Sequence, residues 1–352
     1  MDIREILEMA VNKEASDIFI VAGTQIAYKI NGSIETINDE VLKPVDTYDL
    51  VKQIYNISNN ENDVDNLKED DFSFSLTDTG RFRVNIYRQR GSLAAVLRVV
   101  RFTLPDPSKL HILPSILDLA KLTKGLILVT GSAGSGKSTT LACIVDEINK
   151  TRNAHIITIE DPIEYLHKHN KSIVSQREIG HDTDDYLNAL RAALREAPDV
   201  ILVGEMRDLE TVSVALTAAE TGHLVLSTLH TSGASDTISR IIDIFPPAQQ
   251  EQIRIQLTMT LQAVISQQLI KGKDGKMYPS YEVMKTCPAI CSQIRDNKLH
   301  LINNTIMLNR NNGMVTNDDS VYDLYKKGLI DKETALMHSN NLEAMTTKLN
   351  HF

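Results

Sequence analysis

Small and basic residues stand together at Gly131-Ser132-Ala133-Gly134-Ser135-Gly136-Lys137-Ser138, a spacing that suits the binding of phosphate. Glycines at these places let the backbone curl until its N–H groups point inward at phosphate oxygens. A helix starting at the end of such a loop adds unsatisfied N–H groups and the positive end of its dipole. In that arrangement Ser132, Gly134, Ser135, Gly136 and Thr139 line the cradle. Lys137 reaches the β- and γ-phosphates, and the Ser138 hydroxyl ligates Mg²⁺. The apolar run Leu126–Thr130 before the loop and the amphipathic stretch Ser138–Lys150 after it supply the strand and helix that the cradle needs. A flexible glycine turn would need neither, so this is read as a nucleotide site for ATP with magnesium.

Hydrolysis also needs one carboxylate to serve the metal and another to orient or deprotonate water. In an open α/β sheet both are expected at the carboxyl ends of strands. Two places fit: Ile159-Glu160-Asp161-Pro162-Ile163-Glu164, and Val200-Ile201-Leu202-Val203-Gly204-Glu205. Either cluster alone could be a solvated loop. Their position at strand ends, on both sides of the phosphate loop, favours a functional reading. Thr221-Gly222-His223 and Thr228-Leu229-His230-Thr231 flank a further strand, where His230 is either a structural histidine or a γ-phosphate sensor.

These residues need a scaffold, and its pattern is readable. From Gly125 strands and helices alternate, implying a parallel sheet covered on both faces. Strands are expected at Leu126–Thr130, His155–Ile159, Val200–Val203 and Leu224–Thr228. Helices are expected at Ser138–Lys150, Tyr186–Glu196 and Leu209–Thr221, with one long helix from Ala248 to about Leu269 and a mostly helical chain thereafter. Ahead of this lies a smaller α/β region. Ile3, Ile6, Leu7 and Ala10 recur at helical spacing. Strand-like runs follow at Asp17–Val21, Ala27–Ile30 and Ser33–Ile37, the last two joined by an Asn31-Gly32 pair suited to a type I′ turn. Next come a helix at Thr47–Ile57, a polar loop at Asn59–Asp71, strands at Asp71–Leu76 and Arg81–Tyr87 around a turn at Gly80, and a strand at Leu93–Val100. Prolines at 105, 107 and 114 place a linker at 106–114 between domains 1–105 and 115–352.

The chain has 352 residues, 42% of them hydrophobic and 24% charged, so it can bury a proper core. A net charge of −9 argues against broad binding to nucleic acid or to anionic lipid. No run approaches the ~18 apolar residues needed to span a bilayer, and the acidic start is unlike a signal peptide, so no direct membrane insertion is expected. The three cysteines, Cys143, Cys287 and Cys291, offer no metal-site spacing and read as reduced thiols of a cytoplasmic protein.

The blocks GSAGSGKSTT (131–140), IITIEDPIEY (156–165), APDVILVGEMRDLET (197–211) and TGHLVLSTLHT (221–231) occur in this order. Together they resemble the Walker A, Asp box, Walker B and His box of the secretion ATPase superfamily that drives type II secretion and type IV pili. GRFRVN (80–85), RQRG (88–91), FPPAQQEQIR (245–254) and LYKKGLI (324–330) extend the likeness over nearly the whole chain. The resemblance implies a RecA-like nucleotide domain with a C-terminal helical appendage from about residue 285, preceded by a PAS-like domain. It implies Glu164 as the catalytic carboxylate, with Glu160 the alternative, Glu205 on the magnesium side and His230 as the sensor. Arg83, Arg88, Arg90 and Arg98 would be arginines that reach a nucleotide of the same or a neighbouring subunit.

Assembly-type members carry an extra N-terminal domain and a four-cysteine zinc element, and this sequence shows neither. It is more similar to the retraction type, the PilT family. The resemblance then implies a homohexamer on the cytoplasmic face of the cell membrane, held there by an inner-membrane platform protein (PilC-like) and powering pilus retraction. The other readings are an assembly or secretion ATPase, or a nucleotide-gated regulatory ring with little hydrolysis. Two segments depart from the retraction pattern. Ala289-Ile290-Cys291-Ser292-Gln293-Ile294-Arg295-Asp296 stands where the family reads close to AIRNLIRE, and Ser16-Asp17-Ile18-Phe19 lacks a family histidine.

Overall fold

A computed structural model describes residues 2–30, 32–60, 62–76, 79–100, 104 and 106–350. The chain divides into two compact units, residues 1–103 with 164–166, and residues 104–163 with 167–352.

In the first unit, α1 (Ile3–Asn12) starts at Asp2, whose side chain accepts the Arg4 N–H, and buries Ile3, Ile6, Leu7 and Ala10. The strands are β1 (Asp17–Ile20), β2 (Ala27–Ile30) and β3 (Ser33–Thr36); α2 (Pro44–Ser58) follows, then β4 (Glu69–Leu76), β5 (Gly80–Gln89) and β6 (Ser92–Val100). They form one sheet in the order β3-β2-β1-β6-β5-β4. Alternation along β5 turns Phe82, Val84 and Ile86 into the core. Ile30 pairs with Ser33 and Gly32 has a φ of +85°, while Asn31 of the expected turn lies outside the described residues. Gly80 is not a turn residue: it opens β5, paired with Leu76.

The second unit begins its regular structure with α3 (Pro114–Leu117), β7 (Gly125–Thr130), α4 (Lys137–Thr151), β8 (His155–Glu160), β9 (Ile173–Glu178), α5 (Tyr186–Ala193), β10 (Val200–Val203), α6 (Leu209–Glu220), β11 (Leu224–Leu229), α7 (Ala234–Asp243) and α8 (Pro247–Thr260). Then come β12 (Leu261–Lys271), β13 (Met277–Lys285) and the helices α9 (Pro288–Arg295), α10 (Ile302–Leu308), α11 (Asn317–Lys326), α12 (Lys332–Met337) and α13 (Leu342–Asn350). The sheet order is β13-β12-β7-β11-β10-β8-β9, parallel except for β13. Two apolar cores lie on its faces, one with Leu128, Ile159, Val203 and Val264, the other with Ile127, Val129, Leu202 and Ile265. This is the α/β class expected, with similar side chains buried on both faces of each central strand.

Two expectations need correction. The helix expected from Ala248 to Leu269 ends at Thr260, and the next eleven residues are β12, inserted beside β7. The chain is therefore not helical from 269, because β13 follows before the helices begin. No helix among the described residues is long and apolar enough to cross a membrane.

Candidate nucleotide site

β7 is buried at all six positions and delivers the chain directly into the glycine loop. Gly131, Gly134 and Gly136 take φ values of +141°, +75° and +89°, which a side chain would resist. At Gly131 there is also no room, since a Cβ would lie 2.2 Å from the Gln267 carbonyl oxygen. Lys137 opens α4, with its Nζ donating to the carbonyls of Gly131 (3.0 Å) and Ser132 (2.9 Å). Ser135 is buried and its Oγ has no hydrogen-bond partner; Ser138 and Thr139 sit half-buried on the first turn of α4. Ser132 and Gly134 are exposed at the rim. Cradle, lysine and helix N-terminus are thus in one place, and all fit an oligophosphate.

The carboxylates lie to one side of this loop. β8 and β10 are both on the β11 side of β7, not on its two sides as the sequence suggested, because β12 takes the other side. Glu205 follows β10 with a side chain only 16% exposed, its Oε1 3.3 Å from His230 Nε2 and its Oε2 2.6 Å from Arg207 Nη2. His230 comes from the end of β11, so parallel pairing of β10 with β11 brings the two boxes together. The carboxylate of Glu205 also raises the pKa of the exposed Arg207 guanidinium. Glu160 ends β8, accepting from Thr158 Oγ1 (2.7 Å) and Gln176 Nε2 (3.3 Å). Between them stands Tyr186 of α5: burial first, then the nearby charges of Asp161, Glu205 and Glu160, push its phenol well above the usual range. Glu164 is exposed, in the 164–166 segment that groups with the N-terminal unit.

A hydroxyl on the first turn of α4 and a buried-side carboxylate are hard oxygen donors, which is what magnesium takes. Ser138 and Glu205 therefore fit it. Among the described residues no group of three His, Cys, Asp or Glu side chains could hold a metal by itself, so phosphate oxygens and water would complete its shell.

The four candidate arginines belong to the first unit and have different surroundings. Arg83 makes a two-pronged pair with Asp71 (3.2 and 2.8 Å), and Arg98 Nε is 3.1 Å from Asp17. Arg88 donates to the carbonyls of Asp65 and Leu67, while Arg90 has a φ of +49° between β5 and β6.

The sequence did not point to Gln267. Its Oε1 accepts from Thr140 Oγ1 at 2.7 Å, it is 5% exposed, and its backbone is packed against Gly131. Its signal is hidden in the sequence because the helical pattern expected from Ala248 to about Leu269 runs across it. As a strand, Ala263, Ile265 and Gln267 share one face beside β7. Arg207 and Tyr186 were also missed, although Arg207 stands two residues after Glu205 in the same box.

Comparison with known proteins agrees with this geometry. The family model described as type II/IV secretion system protein matches residues 1–349. The chain is 43% identical to the type IV pilus retraction ATPase PilT of Pseudomonas aeruginosa over 95% of this chain and 97% of the relative. It is 44% identical to the twitching motility protein of Neisseria gonorrhoeae over 90% and 85%. A crystal structure of the pilus retraction motor PilT with bound ADP superposes with a TM-score of 0.87 at 46% identity, covering 99% of each chain. The chain therefore belongs to the type II/IV secretion system protein family, in its PilT branch.

Proposed function

We propose that this chain is the subunit of a hexameric motor that hydrolyses ATP and drives type IV pilus retraction. The observation that carries it is the joint placement of the phosphate cradle and the Glu205–His230 pair in one sheet, within a chain similar end to end to retraction ATPases. Loop N–H groups and Lys137 bind the phosphates, and Ser138 and Glu205 hold magnesium, which neutralises charge on the phosphate oxygens. Glu164, or else Glu160, orients the attacking water and accepts its proton. His230 faces the γ-phosphate end, where its bond to Glu205 reports whether phosphate is present. Arg83, Arg88, Arg90 and Arg98 are the candidates for guanidinium contact with nucleotide, and an arginine there stabilises charge on the transferring group. The reading includes a PAS-like domain over 1–105, a linker at 106–114 and a RecA-like domain over 115–352. It also includes docking on a platform protein at the cytoplasmic face of the membrane.

Steady-state hydrolysis and nucleotide binding by purified hexamer test this. Lys137→Ala should abolish tight binding. Glu164→Gln should still bind ATP yet lose about 10²-fold or more in kcat, the usual size of a lost general base. Glu205→Ala should lose turnover with a raised requirement for magnesium. Tight ATP binding with negligible wild-type turnover, no faster than that of an inactive Glu164→Gln, would sink the motor reading and favour a regulatory ring.

A further inference from the structure

The segment 164–166 leaves the second unit for three residues only, and both of its flanks are tied to one strand. On entry, the Ile163 N–H donates to Glu178 Oε2 at 3.0 Å. On return, the His167 N–H donates to Gln176 Oε1 at 2.8 Å. Gln176 and Glu178 are two apart on β9, so strand alternation sends both side chains to the same face. The amide of Gln176 has a second use: its Nε2 donates to Glu160 Oε1 at 3.3 Å. Glu178 is itself fixed, because its N–H donates to Asp182 Oδ2 at 2.8 Å and its Oε1 lies 3.6 Å from His181 Nε2. It is 2% exposed, and a carboxylate so far from water is costly unless its bonds are made. Parallel pairing sets Glu160 opposite Glu178 and Thr158 opposite Gln176, so the register of β8 with β9 aligns the whole set.

From this geometry we infer that Gln176 and Glu178 are positioning residues for hydrolysis: β9 holds both flanks of the 164–166 segment and thereby places Glu164, while Gln176 orients Glu160. The inference rests on the catalytic reading of these carboxylates. Ile163 is 2% exposed and its N–H bond is buried, so surface water cannot serve it and a protein acceptor is needed. Two side-chain acceptors from one strand define the path on both sides of three residues. Displacement of a reacting group by about 1 Å can cost roughly 10²-fold in rate, so loss of either tie should appear in kcat.

Glu178→Ala, Gln176→Ala and Glu178→Gln are compared with wild type and Glu164→Gln in the full-length hexamer. Two measurements are made: kcat and KM for ATP, and amide hydrogen exchange over residues 161–168. The alanine variants should lose about 10-fold or more in kcat with KM within about twofold, and exchange should quicken at residue 163 or 167 respectively. Glu178→Gln keeps an oxygen acceptor and should restore at least about a third of kcat together with the protection. Unchanged exchange in both alanine variants overturns the tethering. Quickened exchange with kcat unchanged overturns the positioning role, and so does a parallel loss of nucleotide affinity and kcat. Wild-type turnover by Glu164→Gln instead removes the catalytic reading of Glu164, while exchange still judges the ties on their own. If Glu178→Ala does not fold, Gln176→Ala and Glu178→Gln carry the same comparison.

Discussion

His167 closes the return of the 164–166 segment, and its ring is enclosed enough that Nδ1 finds no partner. Burial lowers its pKa from 6.5 to about 4, against a weaker opposing pull from Asp146. The folded state thus holds the ring neutral where the unfolded chain takes up a proton. A depressed folded pKa gives a contribution fully present above pH 6.5 and lost as pH falls towards 4. The whole shift corresponds to roughly 3 kcal/mol, of which about 2 kcal/mol disappears between pH 7 and pH 5. Urea unfolding at these two pH values should show His167→Gln losing less stability on acidification than wild type. Equal losses would mean that the ring is not the group responsible. Nothing in the sequence marked this histidine. By contrast, the Gly131–Ser138 loop was legible because three glycines, a lysine and a serine carry both the curve and the chemistry. A buried histidine or the Gln176 and Glu178 ties take their meaning from a partner strand that no local pattern announces.

At the scale of elements, the clearest lesson is β12. Its residues Leu261, Val264 and Ile265 are apolar at intervals that also suit a helix, and α8 runs into it without a glycine or proline. A central strand buries both faces, so two-residue alternation vanishes and length becomes the only guide. The side chains divide cleanly all the same: Leu261 and Val264 enter one core, Ala263 and Ile265 the other. The strand β9 was missed for a different reason, since IVSQRE is mostly polar and buries only some positions. Strands ending in the chemical boxes were legible because they are short, largely apolar runs that stop at glycine, acid or, for β11, His230. In α9, Ile290 and Ile294 match the retraction pattern and are fully buried, whereas Cys291, Ser292 and Gln293 depart from it and are half-exposed. Packing accounts for the two retained isoleucines, while Ala289 and Arg295, which also match, are exposed. The placement of β12 also makes a stability prediction. Ile265→Ala removes a fully buried side chain between β7 and β13 and should cost about 2–4 kcal/mol in denaturant unfolding. Ile255→Ala, on the 44% exposed face of α8, should cost less than about 0.5 kcal/mol. Similar costs at the two positions would contradict burial of β12 in the sheet.

For the whole molecule, the proposed division of labour gives a test that does not depend on knowing the order of firing. The candidate catalytic carboxylate, Glu164, groups with the N-terminal unit, while the phosphate cradle belongs to the other. A motor needs chemistry to be linked to the arrangement of its parts, because only a difference in nucleotide affinity between arrangements can drive motion. In the proposed hexameric ring every interface is head-to-tail, so each subunit's arrangement would be imposed on a neighbour. Hydrolysis by one subunit then depends on the next. Rings assembled from equal amounts of wild type and Glu164→Gln, co-expressed with different tags, should turn over at about a quarter of the wild-type rate if each step needs an active neighbour, and at about half if sites act alone. The quarter is expected here. Activity that falls in simple proportion to the wild-type fraction would leave an ATPase whose subunits work independently, and coupling around the ring would have to be abandoned even with the catalytic assignment intact.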